Sequence, residues 1–166
     1  MGLISILVDG FILLFSVLLS LAFPLMDSQT IAPSYLHPSF LVEFKQQYER
    51  DYGDYLMKEM PPFFVGLVWV EALFLWPLAL LNAYGILSRK KWVRTTLIMA
   101  GVGSGVSMAS IMSELLGSGR ESKKLVQMYS PFVVFAILAT LRGLFPPRYC
   151  SISASNAPPP AQKKRV

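Results

Sequence analysis

The sequence predicts an all-α, polytopic membrane protein: a four-transmembrane-helix bundle with a lumenal amphipathic helix in its first loop. Three observations predict it. The 166 residues are 54% hydrophobic and only 15% charged, with a mean hydropathy of +0.50; a soluble domain of this length carries more charge. Four apolar runs, at 3–26, 62–87, 95–116 and 125–144, are each long enough to cross a hydrocarbon core of about 30 Å at about 1.5 Å per residue. The charges gather between those runs, as they do in loops flanking spans.

Composition also excludes several classes. The net charge is +5, but no continuous basic face and no aromatic–basic interleaving suggest a nucleic-acid partner. A single cysteine, Cys150, excludes an internal disulfide and a cysteine zinc site. The one histidine, His37, lies outside every span, which weakens metal and triad proposals. No cofactor is implied. Residues 1–147 form the membrane domain and 148–166 a disordered tail rich in Ser, Ala, Pro and Lys.

The first run has no basic leader and no small-x-small cleavage site, so it reads as a spanning helix rather than a signal peptide. Asp9 lies near its start, where a helix N-terminus tolerates a carboxylate. Asp27 lies just past its last apolar residue. The connection at 28–60 is broken early by Pro33 and Pro38. From 39 to 52, Phe40, Leu41, Phe44 and Tyr48 recur at helical spacing among Glu43, Lys45, Glu49 and Arg50. That pattern predicts an amphipathic helix, resting on the bundle end or the lipid interface, or capping a cavity.

Pro61 and Pro62 open the second span, where a missing N–H does no harm. Its one carboxylate, Glu71, falls about 15 Å in by helical rise, near mid-membrane. A charge there costs roughly 2.5–3.5 kcal/mol, so its presence marks a candidate functional residue. Pro77 predicts a kink that frees the carbonyl of Leu73. Trp69, Phe74 and Trp76 surround Glu71 in sequence and read as packing or as a cation cage.

The third span carries GVGSGVS, which no strand precedes, so a phosphate-binding loop is discounted. Gly101, Gly105, Ala109 and Ser113 instead form a small-residue stripe for helix packing. Glu114 reads as an interfacial carboxylate. In the fourth span, Tyr129 and Pro131 lie early, and Arg142 near the end can snorkel to the interface.

Lys and Arg are absent from the N-terminal segment, but four lie between the second and third spans and five at the C-terminal end, counting Arg142. The opposite side has three in each of its two loops. This bias predicts both termini in the cytosol. Lys163 and Lys164, fourth and third from the end, resemble a dilysine endoplasmic-reticulum retrieval signal, which needs that orientation.

Asp27 and Glu71 can then meet in a kinked bundle. Two neighbouring carboxylates in low dielectric do not both ionise cheaply, so one is expected to stay protonated and donate to the other. An anionic seat in an apolar, aromatic pocket suits a lipophilic amine or a sterol-like body with one polar end, and it also allows proton-transfer chemistry.

Several motifs recur in order: Met26-Asp27-x-Gln29; Tyr48, Asp54, Leu56 and Glu59 before Pro61; Glu71-x-x-Phe74-x-x-Pro77; Trp92-x-Arg94-Thr95; and Tyr129-x-Pro131. On these the chain resembles the sigma-2 receptor branch of the EXPERA-domain family, four-helix endoplasmic-reticulum proteins related to emopamil-binding sterol isomerases. The resemblance implies a membrane receptor for sterols and lipophilic amines with a role in sterol handling. It implies Asp27 and Glu71 as the ligand-binding pair, joined by Asp54, Tyr129, Phe132 and Phe74. The implied partners are the bilayer, the ligand, a sterol-transport protein and a second copy of the chain. Leu75 and Phe132 replace polar residues of the family's pocket. The isomerase relatives use a membrane-embedded histidine; no span here contains one, which argues against sterol isomerisation, the enzymatic alternative. A structural adaptor packing through the Gly101 stripe is the third reading.

Overall fold

The computed structural model describes residues 3–119 and 123–145. Four helical stretches are long and apolar enough to cross a membrane: Leu3–Ile31, Pro62–Leu87, Val93–Gly117 and Lys123–Leu144. This is the all-helical bundle that the sequence predicts. The tail, including Cys150, Lys163 and Lys164, lies outside the described residues.

The first span is helix α1 (Leu3–Ala22), a π-helical segment (Phe23–Asp27) and a short α2 (Ser28–Ile31). The connection holds α3 (Ser39–Tyr52), α4 (Tyr55–Glu59) and a 3-10 turn (Ser34–Leu36). The second span is α5 (Pro62–Val70), a second π-helical segment (Glu71–Leu75) and α6 (Trp76–Leu87). The last two spans are α7 (Val93–Gly117) and α8 (Lys123–Leu144). Among these helices, α1 packs on α6 and α8, and α7 on α6 and α8, closing a ring in chain order.

The core has two centres. At the end that carries α3 and α4, Phe23, Leu56, Phe64, Ile111, Leu115 and Leu125 pack together. At the other end, Ile12, Phe15, Leu97, Phe135 and Ala139 form a second cluster, with the rings of Phe15 and Phe135 stacked at 5.7 Å. The second end also contains the closest helix approaches. A Cβ at Gly101 would stand 2.6 Å from the backbone nitrogen of Thr140 and 2.8 Å from the carbonyl of Ala136. Only glycine lets α7 lie this near α8. Of the small-residue stripe, Gly101 and Gly105 face Ala136, whereas Ala109 and Ser113 are exposed.

The amphipathic helix of the first loop is present as α3, and the residues of its apolar face divide between inside and outside. Phe40 and Phe44 are exposed, and Leu41, Lys45 and Tyr48 turn inward. Gly53 stops α3 in the left-handed conformation, φ 65°, where glycine carries no Cβ penalty.

Candidate functional site

The two acids singled out by the sequence both belong to the interruptions of their helices. Asp27 closes the first π segment and Glu71 opens the second. In each, an N–H reaches back five residues: Ser28 to the carbonyl of Phe23, and Trp76 to that of Glu71. Prolines explain the placement. Pro24 lacks the N–H that a regular helix would offer to the carbonyl of Ser20, and the indole of Trp76 donates to that carbonyl at 3.0 Å. The first span is thereby tied to the second at the level of the acids. Pro77 follows the second π segment, so the expected kink takes the form of a wide turn beginning at Glu71.

Asp27 and Glu71 line one cavity of about 270 Å³, walled by all four spans, a scale suited to a small molecule. Its other polar contributors are Tyr48, Ser104, Ser107 and Tyr129, and the wall is otherwise mostly Leu, Met, Phe and Val. Phe132 also lines it, as does Leu75, beside Glu71 on the second span. The two carboxylates share this space, yet neither makes a hydrogen bond or ion pair to another described residue. What the geometry leaves is two carboxyl groups lining one mostly apolar cavity.

Asp54 stands apart from the wall and is fully engaged. It is buried, and its Oδ1 accepts from the N–H groups of Leu56 and Met57 at 3.1 and 3.2 Å, capping α4. Its Oδ2 accepts from the hydroxyl of Tyr129 at 2.9 Å and lies 3.3 Å from that of Tyr48. Asp54 thus ties α3 and α4 to α8 and orients two tyrosines of the wall, rather than offering itself to a guest. Burial, then the charge of Asp54 and its hydrogen bond, push the Tyr48 phenol upward and keep it a protonated donor. Phe74 is also off the cavity: it is exposed on the outer side of the second span, beside Gly103.

Sequence reasoning missed the acid at the other end. Asp9 does not rest on a helix terminus alone; Arg142 of α8 pairs with both of its carboxylate oxygens. The same guanidinium donates to Ser5 at 2.9 Å. Both charged side chains are mostly buried, at 11% exposure for Arg142 and 27% for Asp9, so Arg142 is anchored within the bundle. The available signal was one acid and one base at the same membrane depth in different spans.

The family profile described as EXPERA (EXPanded EBP superfamily) matches residues 40–143. Glu71, Asp54, Tyr129 and Phe132 fall inside that stretch; Asp27 precedes it and joins the site through the fold. Among proteins of known name, the chain is 27% identical over 138 residues to sigma intracellular receptor 2 of Xenopus tropicalis, covering 75% of this chain and 81% of that protein. It is 25% identical over 140 residues to sigma intracellular receptor 2 of Homo sapiens, covering 75% and 80%.

Proposed function

This chain belongs to the EXPERA family, and from that premise we propose that it is a multi-pass membrane receptor whose cavity binds sterols and lipophilic amines. The observation that carries the reading is a pair of acids, Asp27 and Glu71, in one mostly apolar cavity, neither taking a hydrogen bond from a described residue. A carboxylate in low dielectric gains most from a strong donor. A protonated amine or a sterol hydroxyl supplies one while its apolar body fills the wall. Tyr129 and Phe132 border the guest, Asp54 holds the tyrosines in place, and Phe74 acts from outside the wall through its helix.

The receptor resides in the endoplasmic reticulum with both termini cytosolic, α3 and α4 lumenal, and a role in sterol handling. The loop charge bias and the Lys163–Lys164 pair support that address. The sterol-transport partner and the homodimer belong to the same proposal.

Saturation binding of a tritiated lipophilic tertiary amine to membranes tests the site. Asp27→Asn and Glu71→Gln should each weaken binding by about tenfold or more, as expected for loss of a charge-assisted bond of roughly 1.5–3 kcal/mol. Parental affinity in the double variant would remove the basis for the proposal.

A further inference from the structure

A buried cation of the chain's own lies on the helix that packs against the segment ending in Asp27. Lys45 is on α3, yet it is only 6% exposed. Three features place the face of α3 that carries it. Gln29, two residues past Asp27, donates through Nε2 to the carbonyl of Leu41 at 3.1 Å, one turn before Lys45. Tyr48, three residues after Lys45 on the same face, lines the cavity. Helix α3 itself packs on the π segment that ends in Asp27.

The ion pair that Lys45 makes within its helix is long: its Nζ stands 3.9 Å from Glu49. Burial lowers the proton affinity of its amine below the ordinary lysine value, while the charges of Glu49, Asp27 and Asp54 act in the opposite direction. A buried ammonium with one distant partner on its own helix, on a helix that packs against the segment ending in Asp27, is poorly explained as a surface charge.

We propose that Lys45 is a specificity-determining residue, a tethered counter-ion of Asp27 that disfavours cationic guests relative to neutral hydroxyl-bearing ones. The inference rests on the receptor reading above. A protonated amine entering the cavity would meet the seat already partly compensated and would be repelled by a like charge across low dielectric. A sterol hydroxyl donates to the same carboxylates without adding charge, so Lys45 opposes it far less. The lysine therefore shifts the cavity's preference from amines toward sterols.

The experiment compares tritiated cholesterol with the tritiated tertiary amine on the full chain in nanodiscs. Lys45→Met and Lys45→Gln remove the charge with similar reach; Lys45→Arg keeps it. Both neutral variants should tighten amine binding about tenfold and leave cholesterol within about twofold, while Lys45→Arg keeps the parental ratio. An unchanged ratio of the two affinities in both neutral variants, or a shift toward cholesterol, overturns the inference. So does a shift that Lys45→Arg reproduces, since packing would then be the cause. If parental binding of both probes is indifferent to Asp27→Asn with Glu71→Gln, the receptor reading falls and takes the inference with it. Binding that depends on the acids but not on Lys45 removes the inference alone.

Discussion

At one end of the bundle Asp9 closes on Arg142, with Ser5 on the same guanidinium; at the other, Asp27 and Glu71 face a cavity and bond to no described residue. The surroundings differ in the same sense. Around Asp9 and Arg142 the helices are regular and pressed together through Gly101 and Gly143. Around Asp27 and Glu71 both helices loosen into π segments next to prolines. A buried charge with a fixed partner is consistent with structure, since its desolvation is offset inside the fold. Acids set on wide turns beside a mostly apolar cavity have no hydrogen bond among the described residues to provide that offset. The comparison separates acids that hydropathy alone would treat alike.

The largest effect should come from breaking the closed pair. Arg142→Ala leaves Asp9 without its cation, and a loss of about 3–5 kcal/mol of stability is expected for such a disruption. Replacing both residues, Asp9→Leu with Arg142→Met, should recover most of it, because two packed apolar side chains do not need each other's charge. Thermal unfolding in detergent reads both variants, and amine affinity in the double variant should stay at the parental value. A double variant as unstable as Arg142→Ala would show that the pair acts through more than mutual neutralisation.

Asp54 should rank second, and it blurs the comparison usefully, because it is a closed acid at the open end. Asp54→Ala removes the α4 cap, worth about 1 kcal/mol, and leaves the buried Tyr129 hydroxyl without its acceptor, about 1–3 kcal/mol more. Asp54→Asn keeps one oxygen for the cap and should recover roughly the capping share. Chemical denaturation measures the stability loss. Ligand binding should weaken in both variants through displaced Tyr48 and Tyr129. If Asp54→Ala weakens binding with no loss of stability, Asp54 meets the guest directly, and its place outside the wall is misleading.

How much of this was legible in the sequence follows from what hydropathy encodes. The four spans were legible because length and apolarity alone define them, and α3 was legible from its spacing between Pro38 and Gly53. Asp27 and Glu71 stood out because acids are rare in or beside apolar runs. The pairing of Asp9 with Arg142 was not legible, since the rotation of each helix about its axis decides it. In lipid, the faces turned inward and outward are equally apolar. The same ambiguity left the rotation of α3 open: of the residues on its apolar face, Leu41 and Tyr48 turn inward, whereas Phe40 and Phe44 are exposed and Lys45 is buried. A greasy face beside a bilayer has two places to go. The π segments were hidden because proline announces a broken hydrogen bond without saying whether the helix bends or widens. Here the Trp76 indole, far from Pro24 in sequence, takes the freed carbonyl of Ser20.

The smallest effect tests whether the tight end is tight where the glycines indicate. Gly101 and Gly105 are one turn apart on α7, and the sequence treats them as equals. Their surroundings do not. A methyl at Gly101 would run into backbone atoms of Thr140 and Ala136 and the Thr140 hydroxyl; backbone does not move aside, so α7 and α8 must part, at a cost of about 1–3 kcal/mol. At Gly105 the same methyl would meet only the Cβ of Ala136 at 3.8 Å, an ordinary contact. Alanine there should stabilise the helix by up to about 1 kcal/mol through propensity. Unfolding midpoints of Gly101→Ala and Gly105→Ala should therefore move in opposite directions. Equal destabilisation would mean that Gly105 also meets a close neighbour, such as a second copy of the chain, along the exposed side of Ala109 and Ser113.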